Sequence, residues 1–330
     1  MKLQAHFITT NSFIKNSIPN NPCDVYVTCI NSVTENIEFS VLLGGSKWDA
    51  GFSICLDFLQ NVYVTGYTLS EDFPVTSSSF DSSLNGNEDV FVFRLSSSGD
   101  RLIFSTFIGG SSFEVGKSIS CDWRGNIYIA GFTDSKDFPT SKNAYQPFLN
   151  GRQDGFICKL SKTGQTLLVS TYFGGSDWDE IVDLVTDFSG NIFVTGTTLS
   201  SDFPVTLTAE NQYYSGNQDI FYAHINSLMD TIIFSGYIGG DEWDSAGGID
   251  IDINNNVYIA GSSLSKNIKN LKKLSDGGLE DIVFCISSTY PATENCEVDY
   301  YLSVTDKLGA LIVNNPHETK SFRTIPNCFS

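Results

Sequence analysis

Four times along the chain an aromatic residue is followed at once by an acid: Trp48-Asp49, Phe113-Glu114, Trp178-Asp179 and Trp243-Asp244. A flat ring beside a carboxylate is what a sugar site needs, the ring stacking on a pyranose face and the carboxylate accepting from its hydroxyls. A repeated fold would also use such pairs for itself, with the ring packed and the acid holding a turn. Paired carboxylates hydrolyse glycosides too, but that chemistry needs two acids in different environments. Acids repeated in register share one environment. No nucleophile motif, histidine pair or GxSxG accompanies them, so no catalytic residue is assigned, and these eight residues are read as ligand-binding.

Other groups carry weaker chemistry. Asp177, Asp179 and Glu180, or Asp250, Asp252 and Asn254, offer oxygens to calcium, but neither set follows a defined calcium loop. No metal site or cofactor is therefore assigned, and calcium is the only candidate. The three histidines are His6, His224 and His317; His224 shares the register of Arg94 and Lys159 and reads as an outward polar strand residue. Lys266, Lys269, Lys272 and Lys273 place four of nineteen basic residues within eight positions. With Ile268, Leu271 and Leu274 they suggest a short amphipathic helix, either a solvated face or a docking patch for an anionic partner. The eight cysteines include no CxxC and no zinc spacing; most, like Cys23 and Cys29 in Cys-Asp-Val-Tyr-Val-Thr-Cys, read as small buried hydrophobes with free thiols.

Composition narrows the classes. Thirty-eight acidic residues against nineteen basic ones leave a net charge of −19. That field repels phosphate backbones, so nucleic acid is not an expected partner. No stretch approaches the roughly 18 apolar residues of a membrane span. Residues 1–13 have no continuous apolar run, so no signal peptide is visible and the sequence leaves localisation open.

What must position these residues is a repeat. Gly-Gly pairs fall at 44–45, 109–110, 174–175 and 239–240, a step of 65 each time. Gly66, Gly131, Gly196 and Gly261 keep the same step, as do Asp24, Asp89, Asp154 and Asp219; Asp281 follows after 62. Each unit reads as four short strands with period-2 alternation. One is represented by 102–108 and one by 53–57. The third is represented by 126–131 and the fourth by 89–95. A turn such as Asp122-Trp-Arg-Gly-Asn126 is suited to a tight hairpin. A Gly-containing turn, Ser98-Gly99-Asp100, is read as leading into the next unit. Four antiparallel strands repeated radially make a propeller blade, here lengthened by a connection that carries Asp-Phe-Pro at 72–74, 137–139 and 202–204.

Gly-Gly-Ser-x-Trp-Asp, then Asp-x-x-Gly-Asn-[Ile/Val]-[Tyr/Phe]-[Val/Ile]-[Thr/Ala]-Gly, then Asp-Phe-Pro, resembles the SBBP-type β-propeller repeat of bacterial secreted and surface proteins. The resemblance covers about residues 24–287, implies a secreted or cell-surface setting, and brings no shared activity with it. Gln60 stands where the turn glycine belongs, and the fourth unit has Asn267-Ile-Lys269 in place of Asp-Phe-Pro.

The expected fold is all-β: a single-domain, five-bladed β-propeller of four-stranded antiparallel blades over residues 1–330. Blades are expected near 37–95, 102–160, 167–225 and 232–287. A fifth is assembled from 298–325 and 24–30, so the two ends of the chain close the ring. The expected function is a monomeric, non-enzymatic module that binds carbohydrate or protein through symmetric loops. The alternatives are a glycoside-processing enzyme with carboxylates near the central channel and a purely structural surface protein.

Overall fold

The computed structural model describes residues 23–268 in full and the strand backbones at 14–15, 281–288, 304–305 and 311–312. The chain divides into two compact units, residues 1–271 with 277–289, and residues 272–276 with 290–330. In the second, Val304–Thr305 and Leu311–Ile312 form a short antiparallel ladder.

The first unit is built of successive sheets. Three of them have four strands each: Asp49–Leu56, Val62–Thr68, Asp89–Leu95 and Leu102–Ile108; then Glu114–Cys121, Ile127–Thr133, Asp154–Leu160 and Leu167–Phe173; then Asp179–Thr186, Ile192–Thr198, Asp219–Ile225 and Ile232–Ile238. All neighbours within these sheets are antiparallel. A sheet before them pairs Val25–Ile30 with Ile37–Leu43, which also takes Ile14–Lys15 as a parallel neighbour. One after them holds Asp244–Ile251, Asn256–Ser263 and Asp281–Ser288.

The 65-residue step holds, but the sheets are cut differently from the expected units. Leu102–Ile108 does not open a new sheet; it pairs with Asp89–Leu95 and closes the sheet begun at Asp49. The reason is the turn between them. Gly99 adopts φ +68°, its amide donates to the Ser96 carbonyl at 2.9 Å, and the Ser96 amide donates to the Arg101 carbonyl at 2.9 Å. Such a turn folds the chain straight back on itself. The same holds at Gly164, and at position 229 Met takes the left-handed conformation, with φ 54°.

The first strands of consecutive sheets lie side by side and run parallel. The Ile119 amide donates to Ser53 Oγ at 3.2 Å, Leu184 to Ser118 Oγ at 3.2 Å, and Ile249 to Asp183 Oδ2 at 2.9 Å. Core residues fill the space between neighbouring sheet faces: Tyr63, Val90 and Val92 of one sheet pack with Ile129, Phe156 and Cys158 of the next. Burial of these apolar faces is what holds sheet to sheet. A second tie is the outer turn, where Gly99 lies against the Phe39 ring of the preceding sheet and Gly164 against Phe104. From the other side, the long connection donates Phe80 N–H to the Gly164 carbonyl at 3.0 Å and Tyr145 N–H to the Met229 carbonyl at 2.9 Å.

Asp-Phe-Pro belongs to this framework. Phe73, Phe138 and Phe203 are buried in the core clusters. Asp72, Asp137 and Asp202 each accept the amide and hydroxyl of the serine after Gly-Gly, at 2.8–2.9 Å. In the last unit Asn267 Oδ1 accepts the Asp241 amide at 3.0 Å, and Ile268 packs on the core. Asp241 stands where the others have serine, so a second carboxylate at 267 would meet like charge; a neutral amide oxygen does the same work.

Candidate functional site

The aromatic–acid pairs sit where each loop enters the first strand of a sheet. Because those strands are parallel neighbours, all four loops lie at the same end of the first unit. Each loop is held by its backbone. The Trp48, Phe113, Trp178 and Trp243 carbonyls accept amides from Leu69, Asp134, Leu199 and Leu264 at 2.9–3.1 Å. The amides of Lys47, Ser112, Asp177 and Glu242 donate to Ser70, Ser135, Ser200 and Ser265 at 2.7–2.9 Å.

Within this frame the ring and the acid of each pair part company. Trp48, Phe113, Trp178 and Trp243 are 50%, 40%, 47% and 47% exposed, whereas Asp49, Glu114, Asp179 and Asp244 are all fully buried. The acids bond inward. Asp49 accepts from the Gly45 amide at 2.7 Å and from the Thr68 and Ser70 hydroxyls. Glu114 accepts from Gly110 N–H at 2.9 Å and Thr133 Oγ1 at 2.6 Å, and Asp179 from Gly175 N–H at 2.6 Å and Ser200 Oγ at 2.9 Å. Asp244 accepts from Gly240 N–H at 2.9 Å and from the Ser263 and Ser265 hydroxyls. The carboxylates thus tie turns, and the rings alone face out.

A second buried acid lies behind each of the last three of these, with the Gly-Gly turn between them. Asp89, Asp154 and Asp219 are fully buried. The first glycine of each pair is wedged against them: a methyl group on Gly239 would lie 2.2 Å from Asp219 Oδ1 and 3.0 Å from Asp244 Oδ2. Burial pushes Glu114 and Asp219 up to about 7, and Asp89, Asp154 and Asp179 up to about 6, against the pull of their hydrogen bonds. The neighbouring carboxylate adds to the rise, Asp89 acting on Glu114 and Asp154 on Asp179.

One rim position departs from the symmetry. Glu88 forms a backbone bridge with Phe113, and the Asp134 amide donates to the Phe113 carbonyl, so the exposed ring is flanked by two acids. The same register holds Gln153 and Gln218 in place of Glu88, and Leu69, Leu199 and Leu264 in place of Asp134. Burial and then the charge of Asp134 push Glu88 up, burial pushes Asp134 up, and Asp134 Oδ1 is buried without a hydrogen-bond partner. The pair stands out when the repeats are aligned at 65 residues, and no aromatic–acid dipeptide contains both of its members.

Lys266 is exposed, while Lys269, Lys272 and Lys273 lie outside the described residues. Asp252 is spent on its own turn, accepting from the Asn254 and Asn256 amides at 2.8 Å, and no cluster of three metal-ligating side chains occurs among the described residues. His224 is not outward: it is buried and stacked on Phe193 with ring centroids 4.1 Å apart, because that register is occupied by a side chain lying on the aromatic of the preceding strand. Arg94 does so over Tyr63 and Lys159 over Tyr128. Of the five described cysteines only Cys158 is buried; Cys23, Cys55 and Cys121 are half-buried and Cys29 is exposed.

Residues 38–74 and 170–204 match the SBBP family, a beta-propeller repeat. Two segments of the chain thus carry propeller repeats. Each matched segment runs from the last strand of one sheet through Gly-Gly, the buried acid and two strands of the next to the Asp-Phe latch. No curated protein matches the chain. Among solved structures, a phage phi92 endosialidase is similar at 12% identity and a TM-score of 0.43, over 85% of this chain and 43% of that one. A glucose dehydrogenase is similar at 13% identity and a TM-score of 0.28, over 64% of this chain and 79% of that one. The chain therefore spans less than half the length of the endosialidase.

Proposed function

We propose that this chain is a non-enzymatic binding module that takes a carbohydrate or protein partner on the exposed rings of its four equivalent loops. The observation that carries this reading is the repeated half-exposure of Trp48, Phe113, Trp178 and Trp243. Every neighbour in those loops is committed to the fold by hydrogen bonds, yet an apolar ring is left facing water at the same register each time. Flat aromatic surfaces held by rigid loops suit sugar stacking, and the valency follows from the repeat. Titration calorimetry against a glycan panel tests it: several equivalent sites per chain are expected, and Trp178→Ala should remove one with the melting midpoint unchanged. A panel without binding, or a collapsed midpoint with binding intact, would assign the rings to structure.

A second reading rests on Glu88 and Asp134. Two neighbouring acids beside one exposed ring, the charge of one pushing up the other, are a pair that a glycoside-processing site could use. Hydrolysis of a chromogenic glycoside panel, lost in Glu88→Gln and in Asp134→Asn, would favour it over the module.

The architecture we infer for either role is a five-bladed ring. Val25–Ile30 and Ile37–Leu43 correspond to the last two strands of a four-stranded sheet, and the sheet begun at Asp244 has three described strands. Three apolar stretches near 299–304, 308–313 and 320–324 would supply what completes both. Deleting residues 1–30 should then lower the midpoint of the whole domain, and adding that segment back as a peptide should partly restore it. An unchanged midpoint in the truncated chain argues for an open array.

A further inference from the structure

Cys55 and Cys121 lie on the first strands of two consecutive sheets, Asp49–Leu56 and Glu114–Cys121. These strands approach closely at that point. The Ile119 amide donates to Ser53 Oγ at 3.2 Å, and Cys121 Sγ donates to the Leu56 carbonyl at 3.3 Å. The two contacts bracket the thiols, and the Cys55 thiol in turn hydrogen-bonds the Cys121 sulfur. Both thiols are half-buried rather than sealed. The arrangement occurs once among the described residues: at successive 65-residue steps Cys55 is replaced by Ser120, Val185 and Asp250, and Cys121 by Thr186 and Ile251.

We propose that Cys55 and Cys121 are an oxidisable dithiol site, which a peroxide converts into a disulfide joining two neighbouring sheets. The Cys121 sulfur is the first nucleophile, since the hydrogen bond from Cys55 draws its thiol below the ordinary range. It attacks one peroxide oxygen, the O–O bond breaks, and the departing oxygen leaves as water, which gives Cys121 sulfenic acid. The Cys55 sulfur then attacks the Cys121 sulfur and displaces its hydroxyl, which leaves as a second water with the Cys55 proton. Two electrons pass from the thiols to one hydrogen peroxide, and the atoms balance as one disulfide and two waters. The bridge closes a loop that includes most of the sheet begun at Asp49, so it restrains the unfolded chain and raises stability.

The test treats the full native chain with hydrogen peroxide, followed by non-reducing digestion and mass spectrometry. A Cys55–Cys121 peptide lighter by two hydrogens is expected, together with a raised melting midpoint that dithiothreitol reverses. Cys55→Ser and Cys121→Ser should each form no such bridge, and their midpoints should not rise with peroxide. Should either variant fail to fold, the alkylation rate of the two thiols in the untreated wild-type chain gives a second measure. Both should react before oxidation and neither after it. Free thiols at both positions after treatment, or bridges only between other cysteines, would overturn the proposal.

Discussion

Acidification should stabilise this protein. The perturbation is a shift from about pH 7.5 to about pH 5, acting on the buried carboxyl pairs behind the Gly-Gly turns. Glu114 and Asp219 sit near 7 and Asp89, Asp154 and Asp179 near 6, all above their unfolded values of about 4. A folded state with raised carboxyl pKa binds more protons than the unfolded chain between those values. Stability is therefore lost as pH rises through about 4 to 7, and regained as pH falls. Within a pair the first proton relieves its neighbour, so one proton per pair is counted. Down to pH 5, at ~1.4 kcal/mol per pKa unit, the pairs that hold Glu114 and Asp219 each regain roughly 3 kcal/mol and the Asp154–Asp179 pair about half as much. Taking one pair's worth as the minimum, the thermal midpoint should be at least ~5 °C higher at the lower pH. Melts in moderate salt suit the purpose, because salt screens the general acidic repulsion and leaves buried groups largely untouched. Glu114→Gln keeps an oxygen for the Gly110 amide and can donate to Thr133, so it should flatten part of the pH dependence and raise the midpoint near neutrality. A midpoint that climbs steadily from pH 5 to pH 7.5, or a Glu114→Gln profile identical to wild type, would refute the reasoning.

Three further outcomes follow from geometry. Gly109→Ala would place a methyl group 2.4–2.8 Å from the Asp89 carboxyl atoms, and urea melts should show a loss of ~3 kcal/mol or more. Gln60→Gly should stabilise by ~1 kcal/mol, because Gln60 holds φ 62° where Gly125 and Gly190 hold the same turn without a side chain. Asn267→Asp should destabilise by ~1 kcal/mol through repulsion with Asp241, and adding Asp241→Ser should reverse it; additive effects in that double-mutant cycle would dismiss the pairing.

Much of this molecule could be read from its residues. The 65-residue step, the four strand segments per unit and the turn at Asp122–Asn126 all needed only periodicity and turn chemistry. The cut between units did not follow, because a turn such as Ser98-Gly99-Asp100 has the same composition whether it joins two strands of one sheet or two sheets. Trp178-Asp179 was legible as a repeated pair, but the strand's alternation sends adjacent side chains opposite ways, so only the ring reaches solvent. Asn267-Ile268 read as a lapse in the pattern. The turn requires an accepting oxygen and a buried apolar side chain rather than Asp and Phe as such, and a dipeptide comparison does not show that. Glu88 and Asp134 are 46 residues apart by number, and only the strand ladder brings them to either side of Phe113.

The turns at Gly99 and Gly164, which rest on Phe39 and Phe104 of the sheet before, give the chain a direction during synthesis. A ribosome adding about 5–20 residues per second takes several seconds to deliver one 65-residue unit, whereas small all-β units fold in roughly milliseconds to seconds. Each sheet then has time to form before the next emerges, and its phenylalanine is already waiting when the following turn arrives. The Phe80 and Tyr145 amides work in the opposite sense, since their acceptors at Gly164 and Met229 are made later. Every emerging unit thus docks backward through its turn and is fastened forward by its successor, so similar neighbours are added in sequence order and pairing between wrong repeats is given little time to compete.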